Sequence, residues 1–144
     1  MFLRILLVDD NAVNLKVASL MLKKLGYHAD IATNGIEAIE ALENKSYDIV
    51  FMDIQMPEMD GLEATKIIRQ RWLPGPKIIV ITSLNDYREI CLEAGADDFL
   101  TKPLGIIELR ESIECHMPIP MFNRFVSIPS DMEEFAIASQ TSRL

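Results

Sequence analysis

The sequence has few of the residues that mark disulfide-stabilised, membrane-embedded or nucleic-acid-binding proteins. It has only two cysteines in 144 residues, Cys91 and Cys115, and neither lies in a CxxC motif. This excludes a disulfide framework and favours reduced thiols in a cytoplasmic protein. The longest apolar runs, IVFM and KIIVI, are too short to cross a bilayer, and we expect neither a signal peptide nor a membrane partner. Lys and Arg number 14 against 22 Asp and Glu, and this net charge of −8 argues against direct nucleic-acid binding.

What the sequence does have is an alternation of short apolar runs with amphipathic segments. The runs predict strands and the amphipathic segments predict helices, with Gly26 ending the first helix. Such alternation predicts an α/β fold with a doubly wound five-stranded parallel sheet in the order 2-1-3-4-5, as in flavodoxin/CheY-like proteins. The predicted strands span 5–8, 28–33, 48–53, 77–83 and 97–102, and the predicted helices span 11–26, 36–45, 61–72, 85–95 and 104–114.

The composition changes after Cys115, which divides the chain into a domain over 1–115 and a tail or linker over 116–144. Ser130 and Glu133 fit a capping box, so a short helix is expected near 130–140. The tail is interpreted as a linker from a longer parent chain, with an ordered docking segment as the alternative. It also offers a surface through which two chains could pair, because it contains the apolar residues Phe122, Phe125, Val126 and Ile128.

Reactive side chains follow four of the five predicted strands. Asp9 and Asp10 follow the first, Asp53 ends the third, Thr82 is the last residue but one of the fourth and Lys102 ends the fifth. Because the carboxyl ends of parallel strands share one edge of the sheet, these side chains should converge. Three clustered carboxylates repel one another, and either protonation of one of them or a bound cation relieves that repulsion. An all-oxygen set suits Mg²⁺ or Mn²⁺, whereas these loops lack the His and Cys that zinc prefers.

This set of residues is suited to phosphoryl transfer. A carboxylate beside a divalent cation and an ammonium group can act as a nucleophile toward phosphorus, and Asp53 is the predicted nucleophile. Lys102 and the cation would neutralise phosphoryl oxygens, and the Thr82 hydroxyl would hydrogen-bond another. Each residue alone has an ordinary explanation, as a helix cap, a strand former or a surface charge. Their occurrence together at four strand ends favours the site.

The motifs ILLVDDN, DIVFMDIQMPEMDG, IIVITS and GADDFLTKP resemble those of two-component response regulator receiver domains over residues 1–115. The resemblance is greatest to receivers attached to hybrid sensor histidine kinases. It implies a phosphorylation-controlled switch in which Asp53 accepts a phosphoryl group from a phosphohistidine of a sensor histidine kinase or phosphotransfer protein. It also implies that Mg²⁺ is bound by Asp9, Asp10, Asp53 and the backbone carbonyl of Gln55.

The same resemblance assigns switch roles to Thr82 and Phe99 and a cis peptide bond to Lys102–Pro103. Phe99 lacks the hydroxyl of tyrosine, so it would act by packing alone; a half-buried strand residue is the alternative. The resemblance further implies self-catalysed phosphorylation and autodephosphorylation in a protein that is mainly a signalling receiver. Leu84 would slow the approach of water to the phosphoryl group. The face formed by the fourth helix, fifth strand and fifth helix would change on phosphorylation and offers a homodimer surface.

Three other functions are alternatives to the receiver. A haloacid-dehalogenase-like phosphatase requires a second acid two residues after its nucleophile, where this chain has Gln55. A flavin-binding protein requires a phosphate loop rich in hydroxyls and glycine after the first strand, where this chain has acids. A receiver-shaped module that is never phosphorylated is opposed by the complete acid, hydroxyl and amine set.

Overall fold

The computed structural model describes residues 3–83 and 88–117, over which five strands alternate with five helices. The strands pair in parallel in the order β2-β1-β3-β4-β5, which confirms the predicted doubly wound sheet. In chain order the elements are β1 Ile5–Val8, α1 Ala12–Lys24, β2 Ala29–Ala32, α2 Gly35–Asn44, β3 Ile49–Asp53, α3 Gly61–Arg71, β4 Lys77–Thr82, α4 Arg88–Ala94, β5 Asp98–Thr101 and α5 Ile106–His116.

The central strands are buried on both faces. Every residue of β1 and β3 is buried, and so is all of β4 after Lys77, as continuous apolar runs in a parallel sheet require. Helices α2, α3 and α4 cover one face and α1 and α5 cover the other, each packing against its own apolar cluster. Cys91 lies in the first cluster, whereas Cys115 is exposed on α5.

Side-chain caps determine where the helices that follow the strand-end loops begin. The Asn11 side chain accepts hydrogen bonds from the backbone N–H groups of Val13 and Asn14, and so starts α1 directly after the acid pair. Asn34 caps α2 by accepting from the backbone N–H of Glu37, and Gly35 is the first residue of that helix. Helix α2 therefore begins one residue before the predicted helix over 36–45.

Arg69 on α3 connects three segments at the amino-terminal side of β4. Its guanidinium donates to the carbonyl oxygens of Gly95 and Pro76, both at 2.7 Å, and to the Asp97 carboxylate at 2.6 Å. Asp97 also accepts from the backbone N–H of Ile78 at 2.8 Å. The end of α4 and the start of β4 are thus both tied to α3, a role for Arg69 that the helical periodicity did not reveal.

Several expectations fall outside what the structure describes. The predicted helix near 130–140 and the position of Leu84 lie outside the described residues. Helix α5 extends to His116, and the division of the chain at residue 115 stays a prediction. Over 3–83 and 88–117, none of the helices has the length and apolar character that spanning a membrane requires.

Candidate active site

The carboxyl ends of β1, β3 and β5 bring the predicted acids and lysine together. Asp9, Asp10 and Asp53 each offer a carboxylate oxygen within 4.8 Å of those of the other two. The Lys102 ammonium lies 3.0 Å from Asp53 Oδ1 and 3.7 Å from Asp9 Oδ2. Four residues that are up to 93 positions apart in sequence therefore form one cluster.

Thr82 lies at the same edge, at the end of β4. The β3–β4 register pairs Asp53 with Ile81, so Thr82 is one residue beyond the partner of Asp53. Thr82 is buried, and its carbonyl oxygen accepts a 2.9 Å hydrogen bond from the backbone N–H of Lys102. The peptide bond from Lys102 to Pro103 is cis, as predicted.

Local hydrogen bonds orient the first acid and the reactive strand. One Asp9 carboxylate oxygen accepts from the backbone N–H of Asn11 at 2.9 Å. The backbone N–H of Gly61 donates to the carbonyl oxygen of Ile54 at 2.8 Å, which presses the start of α3 against the end of β3. A Cβ atom at Gly61 would collide with the carbonyl oxygen of Asp53. This contact was not predicted, and its only sequence signal is a glycine directly after the N-cap Asp60.

The Asp53 carboxylate is surrounded by more negative than positive charge. Burial raises the pKa of Asp53 above its usual value, and the charges of Asp9 and Asp10 raise it further, against the hydrogen bond from Lys102. Burial alone lowers the pKa of Lys102, but the Asp53 hydrogen bond and the three carboxylate charges together raise it. One ammonium group against three carboxylates leaves a net negative site that favours a cation.

The donor set fits a hard divalent cation. Three carboxylates at this spacing supply the oxygen ligands that Mg²⁺ prefers, and the described cluster contains no nitrogen or sulfur ligand. A cleft of about 500 Å³ opens beside Asp10 and is lined by Gln55, Met56 and Pro57 among others. Gln55 is exposed in this cleft, which Asp10 also lines. Its role as a carbonyl ligand stays a prediction.

Phe99 is half-buried on β5, three residues before Lys102. Its ring packs against the cluster beneath α2, α3 and α4, and the Arg88 guanidinium lies 5.3 Å from the ring centroid. At this distance the cation interacts favourably with the ring face. The arginine of α4 beside this ring was not predicted, and it brings that helix into contact with Phe99.

Comparisons with known proteins agree with this geometry. A family model described as the response regulator receiver domain matches residues 5–114. Hybrid signal transduction histidine kinase F of Dictyostelium discoideum is 42% identical over 123 residues, covering 81% of this chain and 11% of that protein. The chain spans less than a sixth of the length of this kinase and of the other curated histidine kinases compared.

Two solved receiver domains have the same fold and are 38% and 29% identical in sequence to this chain. A receiver domain of a Pseudomonas aeruginosa PAO1 sensor histidine kinase, with magnesium coordinated in its active site cleft, is 38% identical with a TM-score of 0.72, covering 79% of this chain and 96% of that one. The receiver domain of Ssk1 from Saccharomyces cerevisiae, crystallised with the histidine phosphotransfer protein Ypd1, is 29% identical with a TM-score of 0.72, covering 79% and 88%.

Proposed function

Because the chain belongs to the response regulator receiver domain family, we propose that it is a phosphorylation-controlled signalling switch whose acceptor is Asp53. The observation that carries this proposal is the cluster itself: Asp53 lies within 4.8 Å of two further carboxylates and 3.0 Å from the Lys102 ammonium. Such a buried acid, flanked by charges of both signs, is the arrangement that a nucleophilic carboxylate requires. The receivers solved with magnesium and with a phosphotransfer protein support the same reaction.

In the proposed reaction an Asp53 carboxylate oxygen attacks the phosphorus of a phosphohistidine. The phosphorus–nitrogen bond breaks, and its electron pair leaves with the imidazole nitrogen. Lys102, which already contacts Asp53 Oδ1, turns to a phosphoryl oxygen, and the Thr82 hydroxyl hydrogen-bonds another. Asp9, Asp10, Asp53 and the Gln55 carbonyl would hold Mg²⁺, which would supply positive charge against the phosphoryl oxygens, and Mn²⁺ would suit the same ligands.

The acyl phosphate adds roughly two negative charges at this edge of the sheet. Thr82 and Phe99 then shift the population of the surface formed by α4, β5 and α5 between two states. This surface has exposed apolar side chains at Ile90, Leu92 and Ile107, which favours its use in homodimer formation or output. Hydrolysis of the acyl phosphate at the same site resets the switch, so the domain also catalyses its own dephosphorylation.

The phosphodonor is a histidine phosphotransfer protein or a sensor histidine kinase, and it meets this chain in the cytoplasm. Val13 and Val17, one turn apart on α1, are 69% and 44% exposed. Helix α1 begins two residues after Asp10, so this apolar stripe borders the acid cluster. It is the natural docking surface for a helix of the donor, because its position would bring a phosphohistidine close to Asp53.

Treatment with acetyl phosphate and Mg²⁺, followed by intact mass spectrometry, tests the acceptor. We expect one phosphoryl group to be gained by the wild type and by Asp48→Asn, which changes an acid at the opposite end of β3. Asp53→Asn should gain none. A wild type that gains no phosphoryl group would instead indicate a receiver-shaped module that is never phosphorylated, and repeating the reaction with Mn²⁺ tests the second cation.

Docking is tested separately from chemistry. Val13→Asp should slow transfer from a phosphorylated histidine phosphotransfer protein by tenfold or more while leaving acetyl phosphate labelling unchanged. Lys16→Gln, which makes α1 more negative by the same single unit of charge, controls for the change in charge. Equal slowing by both variants would show that charge, and not the apolar stripe, determines donor binding.

A further inference from the structure

The loop between β3 and α3, residues 54–60, carries Gln55 and borders the acid cluster. Asp10, Gln55 and Pro57 line the cleft that opens beside it. Within this loop Glu58 has φ +65°, the left-handed conformation that costs free energy for a residue with a Cβ atom. Such a conformation persists only where the surrounding contacts fix it. The contacts that fix this loop therefore decide where Gln55 lies.

The start of α2 touches this loop at Met59, the residue after Glu58. The backbone N–H of Gly35 donates to the Met59 carbonyl oxygen at 3.2 Å. A Cβ atom at Gly35 would lie 2.8 Å from that oxygen and 2.8 Å from Met59 Cγ, a distance that Cβ atoms in proteins essentially never show. Gly35 is buried and does not have a left-handed φ, so it is space and not backbone conformation that requires the glycine. A larger residue at position 35 must displace either the loop or α2.

Helix α2 is the less movable side of this contact. Asn34 caps the helix by accepting from the backbone N–H of Glu37 at 2.9 Å. The Glu37 carboxylate in turn accepts from the backbone N–H and the hydroxyl of Thr33, at 3.0 and 2.7 Å. These reciprocal hydrogen bonds fix the turn before α2 in the manner of a capping box. The loop, which already contains a left-handed residue, is therefore the side that moves.

Backbone hydrogen bonds transmit a shift of Met59 along the loop. The N–H of Met59 donates to the Pro57 carbonyl oxygen at 2.7 Å, and the N–H of Gly61 donates to the Ile54 carbonyl oxygen at 2.8 Å. Gln55 lies between Ile54 and Pro57 in the chain, so it is held from both sides. A displacement of Met59 moves Pro57 with it, and Gln55, two residues before Pro57, is displaced as a result.

We propose that Gly35 is a positioning residue for the cation site, because its close contact with Met59 sets the place of the Gln55 carbonyl. The start of α2 then acts on cation affinity without contributing a ligand. This inference rests on the proposed function, in which that carbonyl would hold Mg²⁺ together with the three carboxylates. A residue that binds nothing itself would thus determine how much Mg²⁺ the switch needs.

Titration of the full chain with Mg²⁺, followed by NMR of the backbone amides, tests the proposal. Gly35→Ala should raise the Mg²⁺ dissociation constant about tenfold, the size of effect that residues supporting metal ligands have. Before Mg²⁺ is added, the same variant should already shift the Gln55 amide resonance. Glu58→Gly allows the loop to adopt other conformations, so adding it to Gly35→Ala should bring the dissociation constant back toward the wild-type value.

Two further variants separate positioning from loss of stability. Glu37→Ala removes the acceptor of the Thr33 hydrogen bonds without crowding the core, and it should also weaken Mg²⁺ binding; it decides the question if Gly35→Ala does not fold. Gly95→Ala is the matched control, because its Cβ would lie 2.5 Å from Arg69 Cγ, at the amino-terminal side of β4. It should lower the urea midpoint and leave the Mg²⁺ dissociation constant unchanged.

The outcomes distinguish this inference from the proposed function. Wild-type Mg²⁺ affinity in Gly35→Ala and Glu37→Ala, with weaker binding by Asp10→Asn, would overturn the positioning role alone. It would also be overturned if Gly95→Ala weakened binding equally, or if Glu58→Gly restored no affinity to Gly35→Ala. A wild type that binds no Mg²⁺ would overturn the proposed function and the positioning role together.

Discussion

Replacing Gly61 with alanine tests how closely α3 is held against the reactive strand. Gly61 is the first residue of α3, and the Cβ atom of alanine would overlap the Asp53 carbonyl oxygen and lie 2.9 Å from Met52 Cγ. Favourable carbon contacts are about 3.5–4.0 Å, so the start of α3 must move by roughly an ångström. Because the atom hit is backbone in a buried strand, we expect the upper part of the overpacking range, about 3 kcal/mol.

A loss of about 3 kcal/mol lowers the folding equilibrium constant roughly a hundredfold and is measured as a lower urea midpoint with an unchanged slope. Gly26→Ala is the control, because Gly26 has φ +92° but no atom within 4 Å of the added Cβ. It should lose only the conformational cost of a left-handed residue, about 1–2 kcal/mol. If Gly61→Ala is as stable as the wild type, the described approach of α3 to β3 is wrong.

Three further predictions concern other contacts. Removing the donors of Arg69 in Arg69→Met should destabilise the fold by about 2–3 kcal/mol, measured by urea unfolding, because three acceptors lose a charged donor; no loss would contradict the described contacts. Hydrogen bonds from Tyr47 and then Lys45 lower the pKa of Asp30, so its stabilisation is present above pH ~4 and disappears as pH falls through the folded-state pKa. Asp30→Asn should therefore be less stable than the wild type at neutral pH, with urea midpoints that converge in acid; a constant gap would contradict this. Mg²⁺ at a hundredfold excess over its dissociation constant should add about 2.7 kcal/mol to the unfolding free energy, a gain that a chelator removes and Asp10→Asn weakens.

Much of the fold could be predicted because its central strands are simple. The apolar runs of β1, β3 and β4 are buried on both faces, so each is visible in the sequence without knowledge of its neighbours. The ends of the helices were less predictable where a side-chain cap determines them. Asn34 starts α2 by a side-chain hydrogen bond to Glu37, and that interaction appears in the sequence only as a polar break.

The candidate site was predictable for a topological reason. In a parallel sheet the carboxyl ends of all strands lie at the same edge. Asp9, Asp53 and Lys102 could therefore be placed together from the order of elements alone. The contact of Arg88 with Phe99 could not, since it depends on the angle at which α4 crosses β5. The hydrogen bonds of Arg69 reach Gly95 and Asp97, which are 26 and 28 residues further along the chain, so no local sequence pattern predicts them.

The acid cluster has a consequence for how the sequence can drift. Mutual repulsion of Asp9, Asp10 and Asp53 opposes folding whenever a cation is absent, so neutral replacements at these positions would make the domain more stable. A lineage that had stopped using this edge would accumulate such replacements without losing its architecture. Three carboxylates beside one ammonium group are therefore a feature of the chemistry of this site and not of the stability of the fold.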